Sequence, residues 1–178
     1  MTAMTDFAIT KFGRDDVTAN IEALGEMMHA CVHAGASIGY ILPYSHTDGA
    51  DFWARKVLPR LDGGNLLLLV AHAGGRIAGA VQLDYDTPPN QPHRAEVRKL
   101  MVHPDFRRRG LARLLMLRVE KEAQSLGRRL LTLDTRTGDH AEPLYASIGY
   151  LTSGVIPGYC LDPRGREFDS TTIMYKPI

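Results

Sequence analysis

Short apolar segments along the first half of the chain predict a strand, two helices and a hairpin. A strand is predicted over residues 7–12, and the apolar side chains from Val17 to Cys31 then recur at helical spacing. A Gly/Ser/Pro-rich loop over 33–49 leads into a second helix from Asp48 to Leu61. The apolar runs of residues 65–84, interrupted by two glycines, predict a β-hairpin.

The second half of the chain alternates strands with helices. The loop YDTPPNQPH carries three prolines, which exclude a central strand there. The pattern then predicts a strand over Ala95–Val102, a helix over Leu111–Ser125, a strand over 128–135, a short helix over 141–147 and two strands after Gly149. No repeat or linker interrupts this order. We therefore predict a single α+β domain over residues 1–178 with a mixed sheet.

The strand Ala95–Val102 has an alternation that is out of phase with itself. In a regular strand Val97 would face one side of the sheet, whereas Leu100 and Val102 would face the other. One extra residue in the strand reverses the phase of everything that follows it. The sequence therefore predicts a β-bulge near Arg98 and Lys99.

Composition excludes several classes of protein. The chain has 178 residues and a formal net charge of +1, so no overall field would attract nucleic acid or an anionic membrane. The longest apolar run, Leu66–Ala71, is too short to span a bilayer, and MTAMTDFAIT lacks the features of a signal peptide. Cys31 and Cys160 lie far apart and the histidines predict no metal site, so we expect a cytoplasmic protein without a metal.

An arginine-rich loop directly before the helix at Leu111 predicts an anion site. The first N–H groups of a helix lack partners within the helix, and the helix dipole adds positive potential there. Cations at this end oppose the dipole by about 0.3–1 kcal/mol each, so three arginines favour a bound anion over a structural turn. The loop has neither the GK[ST] ending of a P-loop nor GxGxxG. We predict a diphosphate site.

The segment HPDFRRRGLARLL resembles the acetyl-CoA-binding signature of the GNAT superfamily of N-acetyltransferases. The signature [RQ]-x-x-G-x-[GA] is read here as Arg107-x-x-Gly110-x-Ala112, and LYASIGY follows at the family's spacing. The resemblance extends from about Phe7 to Lys176. Within the superfamily, NQPHRAEV, LLTLDTRTGDHAEPLYASIGY and GVIPGYCLDPRG resemble the branch that contains the tabtoxin-resistance acetyltransferase.

The resemblance implies the GNAT acyl-CoA N-acyltransferase fold and a binding site for acetyl-CoA. The fold has a mixed, mostly antiparallel sheet of six to seven strands flanked by helices, and acetyl-CoA lies between two parallel strands that splay apart, here Ala95–Val102 and Arg129–Thr135. The backbone of Leu100, Met101 and Val102 would pair with the pantetheine arm. The pyrophosphate would be held by Arg107, Arg108, Arg109, Gly110, Leu111, Ala112 and Arg113.

The resemblance also implies catalytic side chains. An amine with a pKa near 10.4 is only about 0.1% neutral at pH 7.4, so a carboxylate that accepts its proton would help direct attack on the thioester. Glu96 and Asp134 both stand where relatives carry an acidic residue, and Tyr145 matches the tyrosine that protonates the leaving thiolate. Many members place an asparagine just before this tyrosine's helix, whereas Asp139 and His140 stand here.

The acceptor is expected to be a primary amine of a small molecule, such as an amino-acid-like toxin or antibiotic. Tyr40, Asn90, His93 and Arg94 are the candidate acceptor-binding residues, because aromatic and polar side chains in loops over the cleft could wall a pocket. Two other functions stay open: acetylation of peptide or protein N-termini, and a regulatory module that binds acetyl-CoA without turnover. Relatives often form homodimers, which makes a homodimer an expectation here.

Overall fold

The structure is a computed structural model that describes residues 7–178; residues 1–6, which begin the segment used to exclude a signal peptide, lie outside the described residues. The strands are β1 (Ala8–Phe12), β2 (Leu66–Ala73), β3 (Arg76–Asp84), β4 (Arg94–Val102), β5 (Leu130–Arg136), β6 (Leu151–Leu161) and β7 (Phe168–Pro177). They form one seven-stranded sheet in the order β1-β2-β3-β4-β5-β7-β6, and β4 with β5 is its parallel pair. The predicted α+β fold with a mixed, mostly antiparallel sheet is confirmed.

Helices cover both faces of the sheet, which is why β2 is apolar from Leu66 to Ala71. The helices are α1 (Arg14–Ala19), α2 (Ile21–His33), α3 (His46–Phe52), α4 (Leu58–Asp62), α5 (Leu111–Ser125) and α6 (Ala141–Ser147). Leu67 and Leu69 of β2 pack in one core cluster with α5 and α6, whereas Leu68 and Val70 pack in a second cluster with α2 and α3. A strand buried on both faces carries a continuous apolar run. Within residues 7–178, no helix is both long and apolar enough to cross a membrane.

The central strands β4 and β5 separate part of the way along their length. They pair in parallel at Arg94 with Leu130, at Ala95 with Leu131 and at Glu96 with Thr132. Beyond Glu96 the register with β5 stops, although β4 continues to Val102. The predicted splay is therefore present, and it opens towards the carboxyl ends of both strands.

The predicted bulge in β4 is confirmed at Lys99. Gln82 of β3 opposes Arg98 and Ala80 opposes Met101, so two residues of β4 stand against Val81 alone. Lys99 has a φ of 51°, which is the left-handed conformation. As a result Val97, Leu100 and Val102 all pack against the same core cluster, as the phase argument requires.

Two helix predictions are wrong in detail. The helix expected to run through Val17 and Cys31 is broken at Asn20 into α1 and α2. The second helix begins at His46 rather than Asp48, because the hydroxyl of Ser45 accepts a hydrogen bond from the N–H of Asp48 at 3.1 Å and caps it. A π-helical turn over Trp53–Val57 then joins α3 to α4. Trp53, at the start of this turn, is fully buried.

Helices α2 and α3 cross in direct backbone contact at Gly25 and Gly49. A Cβ on Gly49 would overlap the carbonyl oxygen of Gly25. We expect Gly49→Ala to lower the free energy of unfolding by about 3 kcal/mol, since overpacking against backbone leaves little room to relax. For a chain of this length that is a fall in Tm of roughly 6–12 °C, measurable by scanning calorimetry.

Gly63→Ala is the matched control for this substitution. The nearest atom to a Cβ on Gly63 is 3.6 Å away, which is ordinary contact. We expect its Tm to stay within about 2 °C of the parent, because no neighbour has to move. An equal loss of Tm in the two variants would show that the α2–α3 crossing does not require a residue without a side chain at position 49.

Candidate active site

Three charged side chains gather where β4 and β5 separate. Glu96 is the last residue of β4 in register with β5, Lys99 follows at the bulge, and Asp134 lies two residues beyond the paired Thr132. Burial, and after it the charge of Arg98, lowers the pKa of Lys99, while the charges of Asp134 and Glu96 act in the opposite direction. Lys99 is therefore close enough to Asp134 and Glu96 to interact electrostatically with both carboxylates.

The two candidate bases differ in their partners. The carboxylate of Glu96 lies 3.7 Å from the guanidinium of Arg98, so Glu96 already has a cationic partner. Asp134 is exposed, and none of the residues in 7–178 forms an ion pair with it; the hydroxyl of Thr171 lies 3.3 Å from its Oδ2. Asp134 is therefore the carboxylate with more capacity left for an ammonium group.

Tyr145 lies on α6 with 6% of its surface exposed. Burial raises the pKa of Tyr145 above its ordinary value, and the negative charges of Asp134 and Asp139 raise it further. A phenol in these surroundings stays protonated at neutral pH and can donate a hydrogen bond. The structure thus brings Tyr145 and Asp134 within electrostatic range of each other.

The backbone beyond the bulge offers a strand edge to a ligand, but with fewer groups than predicted. The N–H of His103 donates to the carbonyl of Ala78 on β3, and alternate residues of a strand direct their backbone groups to opposite sides. Leu100 and Val102 therefore face the gap, whereas Met101 faces β3. The carbonyl of Val102 already accepts a hydrogen bond from Arg107 at 3.2 Å. The groups left to pair with an extended pantetheine arm are the backbone of Leu100 and the N–H of Val102.

The loop before α5 fits the diphosphate prediction. Gly110 takes the N-cap position with a φ of 79°, no side chain caps the helix, and its first turn carries no acidic residue. Arg108 is also left-handed, at a φ of 59°. Left-handed residues in such a loop turn successive N–H groups towards one side and form a concave anion site. A negatively charged ligand would satisfy these N–H groups.

The arginines of the loop have separate partners. Arg107 is tied to the end of β4, Arg113 donates to the hydroxyl of Ser147 at 2.8 Å, and Arg109 lies over the ring of Phe106 at 5.5 Å. Arg108 is exposed beside the helix N-terminus. Its guanidinium is thus placed to reach an anion without giving up a structural contact. Leu111 is buried and Ala112 half-buried at the start of the helix.

We expect Arg108→Ala to raise KM for acetyl-CoA about fivefold while kcat stays unchanged, because an exposed charge pair contributes about 1 kcal/mol of binding. Initial rates at varied acetyl-CoA measure this. Acetyl-pantetheine, which lacks the diphosphate, is the matched control and should be used equally by parent and variant. A loss with acetyl-pantetheine of the same size would assign Arg108 to something other than the diphosphate.

The predicted acceptor residues lie in two places. Tyr40 is in the loop between α2 and α3, 5.9 Å below the ammonium of Lys99 and within 5.0 Å of Tyr44, ring to ring. Asn90 and His93 are exposed in the loop before β4. Arg94 donates to Gln91 at 2.8 Å and lies 3.2 Å from the hydroxyl of Thr132, at the paired end of β4 and β5. Only Tyr40 is brought to the open end of the strands.

Two adjoining cavities lie beyond the carboxyl end of β5. One, of about 580 Å³, is lined by the end of α2, residues 136–140 and the turn between β6 and β7. The other, of about 380 Å³, is lined by Tyr40 and its neighbours and by Cys160 and Leu161. Pro163 lines both cavities. Arg136, which ends β5 and pairs with Asp139 at 3.0 Å, faces the larger one.

Sequence reasoning missed Lys99, Thr171 and Arg136 as parts of this site. Lys99 lies inside the predicted bulge. A positively charged residue there, near the candidate bases Glu96 and Asp134, was the signal that could have identified it as part of the site. The spacing of His29 and His33 also received no weight in the sequence analysis. Their rings lie 4.1 Å apart on α2, and the ring of His46 lies 3.8 Å from that of His29. Within residues 7–178 no group of His, Cys, Asp and Glu is arranged to hold a metal ion.

Comparison with known sequences finds the profile of the acetyltransferase (GNAT) family over residues 32–150. An uncharacterised N-acetyltransferase from the hisH-hisA intergenic region of Azospirillum brasilense is 32% identical over 129 residues, which are 71% of this chain and 74% of that protein. An acetyltransferase of Yersinia enterocolitica is 37% identical over 91 residues, 51% of this chain and 61% of its own.

Solved structures show the same fold at low sequence identity. An acetyltransferase of the GNAT family from Streptococcus pneumoniae superposes with a TM-score of 0.74 at 21% identity, over 97% of this chain and all of that one. A Salmonella typhimurium protein solved with its cofactor acetyl-CoA gives a TM-score of 0.74 at 19% identity, over 96% and 93% of the two chains. These two likenesses show that the chain shares its fold with acetyltransferase structures, one of which was solved with acetyl-CoA.

Proposed function

Because the chain belongs to the acetyltransferase (GNAT) family and is an acetyl-CoA-dependent N-acetyltransferase, we propose that its acceptor is the primary amine of a small molecule with amino-acid-like polarity. Acetyl-CoA supplies the acetyl group as a thioester. The resemblance to the tabtoxin-resistance branch stays a prediction, and it is the reason to include amino-acid-like toxins among the acceptors. The rest of the proposal depends on the cavities beyond the carboxyl end of β5.

The observation that carries the proposal is a bridge over the acceptor side of the cleft. The loop between α2 and α3 is joined to the turn between β6 and β7, since the N–H of Leu42 donates to the carbonyl of Pro163 at 2.8 Å. Arg136 lies 3.4 Å from the carbonyl of Gly35 and joins the same loop to β5. A polypeptide acceptor needs an open groove through this region. A bridged cavity of about 580 Å³ has the size of a small-molecule site.

The larger cavity carries charges of both signs, which favours an acceptor that does the same. Its lining includes Arg136 and Arg164 together with Asp162, Glu167 and Asp169. Asp169 has a buried carboxylate oxygen without a hydrogen-bond donor, 3.6 Å from Arg136. An amino-acid-like molecule whose reacting ammonium is bound by Asp134 would offer its carboxylate to the arginines and its other polar groups to the carboxylates. A purely apolar amine would leave these groups desolvated without compensation.

In this proposal, each step of the transfer reaction is carried out by a different group. Asp134 would bind the acceptor ammonium and take its proton, so that the neutral amine can attack the thioester. Backbone groups of Leu100 and Val102 would orient the pantetheine arm along the gap. Tyr145 would donate a hydrogen bond to the sulfur as negative charge develops there. The N-terminus of α5 would hold the diphosphate.

The test is CoA release from acetyl-CoA against a panel of amines, with the acetylated product identified by mass spectrometry. The panel contains free amino acids, the β-lactam amino acid of tabtoxin, polyamines, aminoglycosides and short peptides. We expect saturable turnover with an amino-acid-like amine and none with peptides. Turnover with peptides alone would overturn the small-molecule assignment, and binding of acetyl-CoA without turnover of any amine would favour the regulatory module.

A further inference from the structure

Lys99 has an unusual backbone conformation that turns its side chain across the cleft. A left-handed φ costs a non-glycine residue roughly 1–2 kcal/mol, so the packing of β4 against β3 must hold it there. The bulge places Lys99 between Arg98, which faces Asp84, and Leu100, whose backbone faces the gap.

The ammonium group of Lys99 contacts the loop between α2 and α3. Its Nζ donates to the carbonyl of Ile38 at 2.7 Å and lies 5.9 Å from the ring centre of Tyr40. A Cβ on Gly39 would come within 3.2 Å of Nζ, so the loop passes directly over the ammonium. A charge-assisted hydrogen bond in half-buried surroundings is stronger than a neutral one. Lys99 therefore holds this loop at its centre.

The same loop is held at its two ends by the contacts already described. Arg136 reaches Gly35 at the start, and Pro163 receives Leu42 near the end. Without Lys99 the segment from Ser37 to Ile41, which lines the smaller cavity, would keep the burial of Ile38 and the ring contacts of Tyr40 with Tyr44 and Phe52. It would lose its hydrogen bond to the bulge of β4. The strand that Lys99 belongs to is the one predicted to hold acetyl-CoA.

We propose that Lys99 is a positioning residue for the acceptor: it fixes the loop of residues 34–45 to the bulge of β4, and thereby shapes the smaller cavity, which adjoins the larger cavity assigned to the acceptor. This inference rests on the proposed function for its kinetic consequences. Its structural part, the fixing of the loop, does not depend on the identity of the acceptor. Lys99 acts through Ile38 and Tyr40 and takes no part in proton transfer.

The kinetic test compares Lys99→Met with Lys99→Arg, using an acceptor found in the amine panel. Loss of a charge-assisted hydrogen bond should raise KM for the acceptor roughly tenfold or more in Lys99→Met, with kcat within about threefold and the Kd for acetyl-CoA unchanged. Arginine can also donate to Ile38, so Lys99→Arg should recover most of the affinity. Lys121→Met, an exposed lysine on α5, is the control and should match the parent.

Hydrogen exchange provides a readout that needs no acceptor. We expect Lys99→Met to speed amide exchange in residues 34–45 at least tenfold, with unchanged exchange in α5 and β2. If Lys99→Met does not fold, Lys99→Gln takes its place in both experiments. Unchanged exchange of the loop, or a fall of kcat at constant acceptor KM, would overturn the proposal. Failure of the whole amine panel would contradict the proposed function and leave the exchange result to decide on Lys99.

Discussion

Replacing Tyr145 by phenylalanine is expected to lower kcat by about 10²–10³-fold while the Kd for acetyl-CoA stays within about twofold. The side chain of Tyr145 is buried, and its raised pKa keeps the hydroxyl protonated, so it can stabilise a developing thiolate by donation. A phenylalanine fills nearly the same volume and removes only that donor. Steady-state kinetics at saturating acceptor, with calorimetry for acetyl-CoA binding, separate the two effects.

Tyr150→Phe is the matched control for this substitution. The ring of Tyr150 lies 5.8 Å from that of Tyr145, it is buried to a similar degree, and its hydroxyl has no hydrogen-bond partner. Removal of that hydroxyl should leave kcat unchanged. Equal losses in the two variants would indicate that packing of α6 is what matters, and an unchanged kcat in Tyr145→Phe would remove Tyr145 from the mechanism.

The second large effect is expected at Asp134. Asp134→Asn should lower kcat/KM by about 10²–10⁴-fold at neutral pH, because the acceptor then loses both its ion pair and its proton acceptor. Glu96→Gln should lower it by less than about tenfold, since Arg98 already pairs with Glu96. Both variants keep the shape of the side chain, so their difference reports on chemistry rather than packing.

The pH dependence of Asp134→Asn distinguishes a base from a binding residue. Without a base, the variant depends on the fraction of neutral amine, which rises about tenfold per pH unit below the amine's pKa. Activity of Asp134→Asn should therefore recover towards that of the parent between about pH 7 and pH 9.5. A constant ratio of the two activities over that range, or a larger loss in Glu96→Gln, would move the base away from Asp134.

Patterns within single strands predicted the framework of this site well. The phase conflict between Val97 and Leu100 predicted the bulge, and the structure confirms it at Lys99. The apolar run of β2 and the alternating order of strands and helices predicted the sheet. Each of these signals is local, because a period of two or of 3.6 residues is set by the backbone alone.

Features that depend on contacts between distant segments were not predicted. Lys99 meets Ile38 across 61 positions of sequence, and Arg136 meets Gly35 across 101. The backbone of Met101 faces β3 because of the register between β3 and β4. In a bulged strand, a hydrophobic pattern does not define that register to within one residue. The break at Asn20 was also not predicted, although asparagine favours helix ends and its side chain donates to the carbonyl of Asp16 at 2.8 Å.

The central claim is that acetyl-CoA and the acceptor meet in one cleft and react directly, with Asp134 and Tyr145 on either side of the reacting atoms. The most direct test is the initial-rate pattern with both substrates varied, together with intact-protein mass spectrometry after incubation with acetyl-CoA alone. Direct transfer predicts double-reciprocal lines that intersect and no acetylated protein. Parallel lines with an acetylated enzyme would show a covalent intermediate on the protein and would contradict the account.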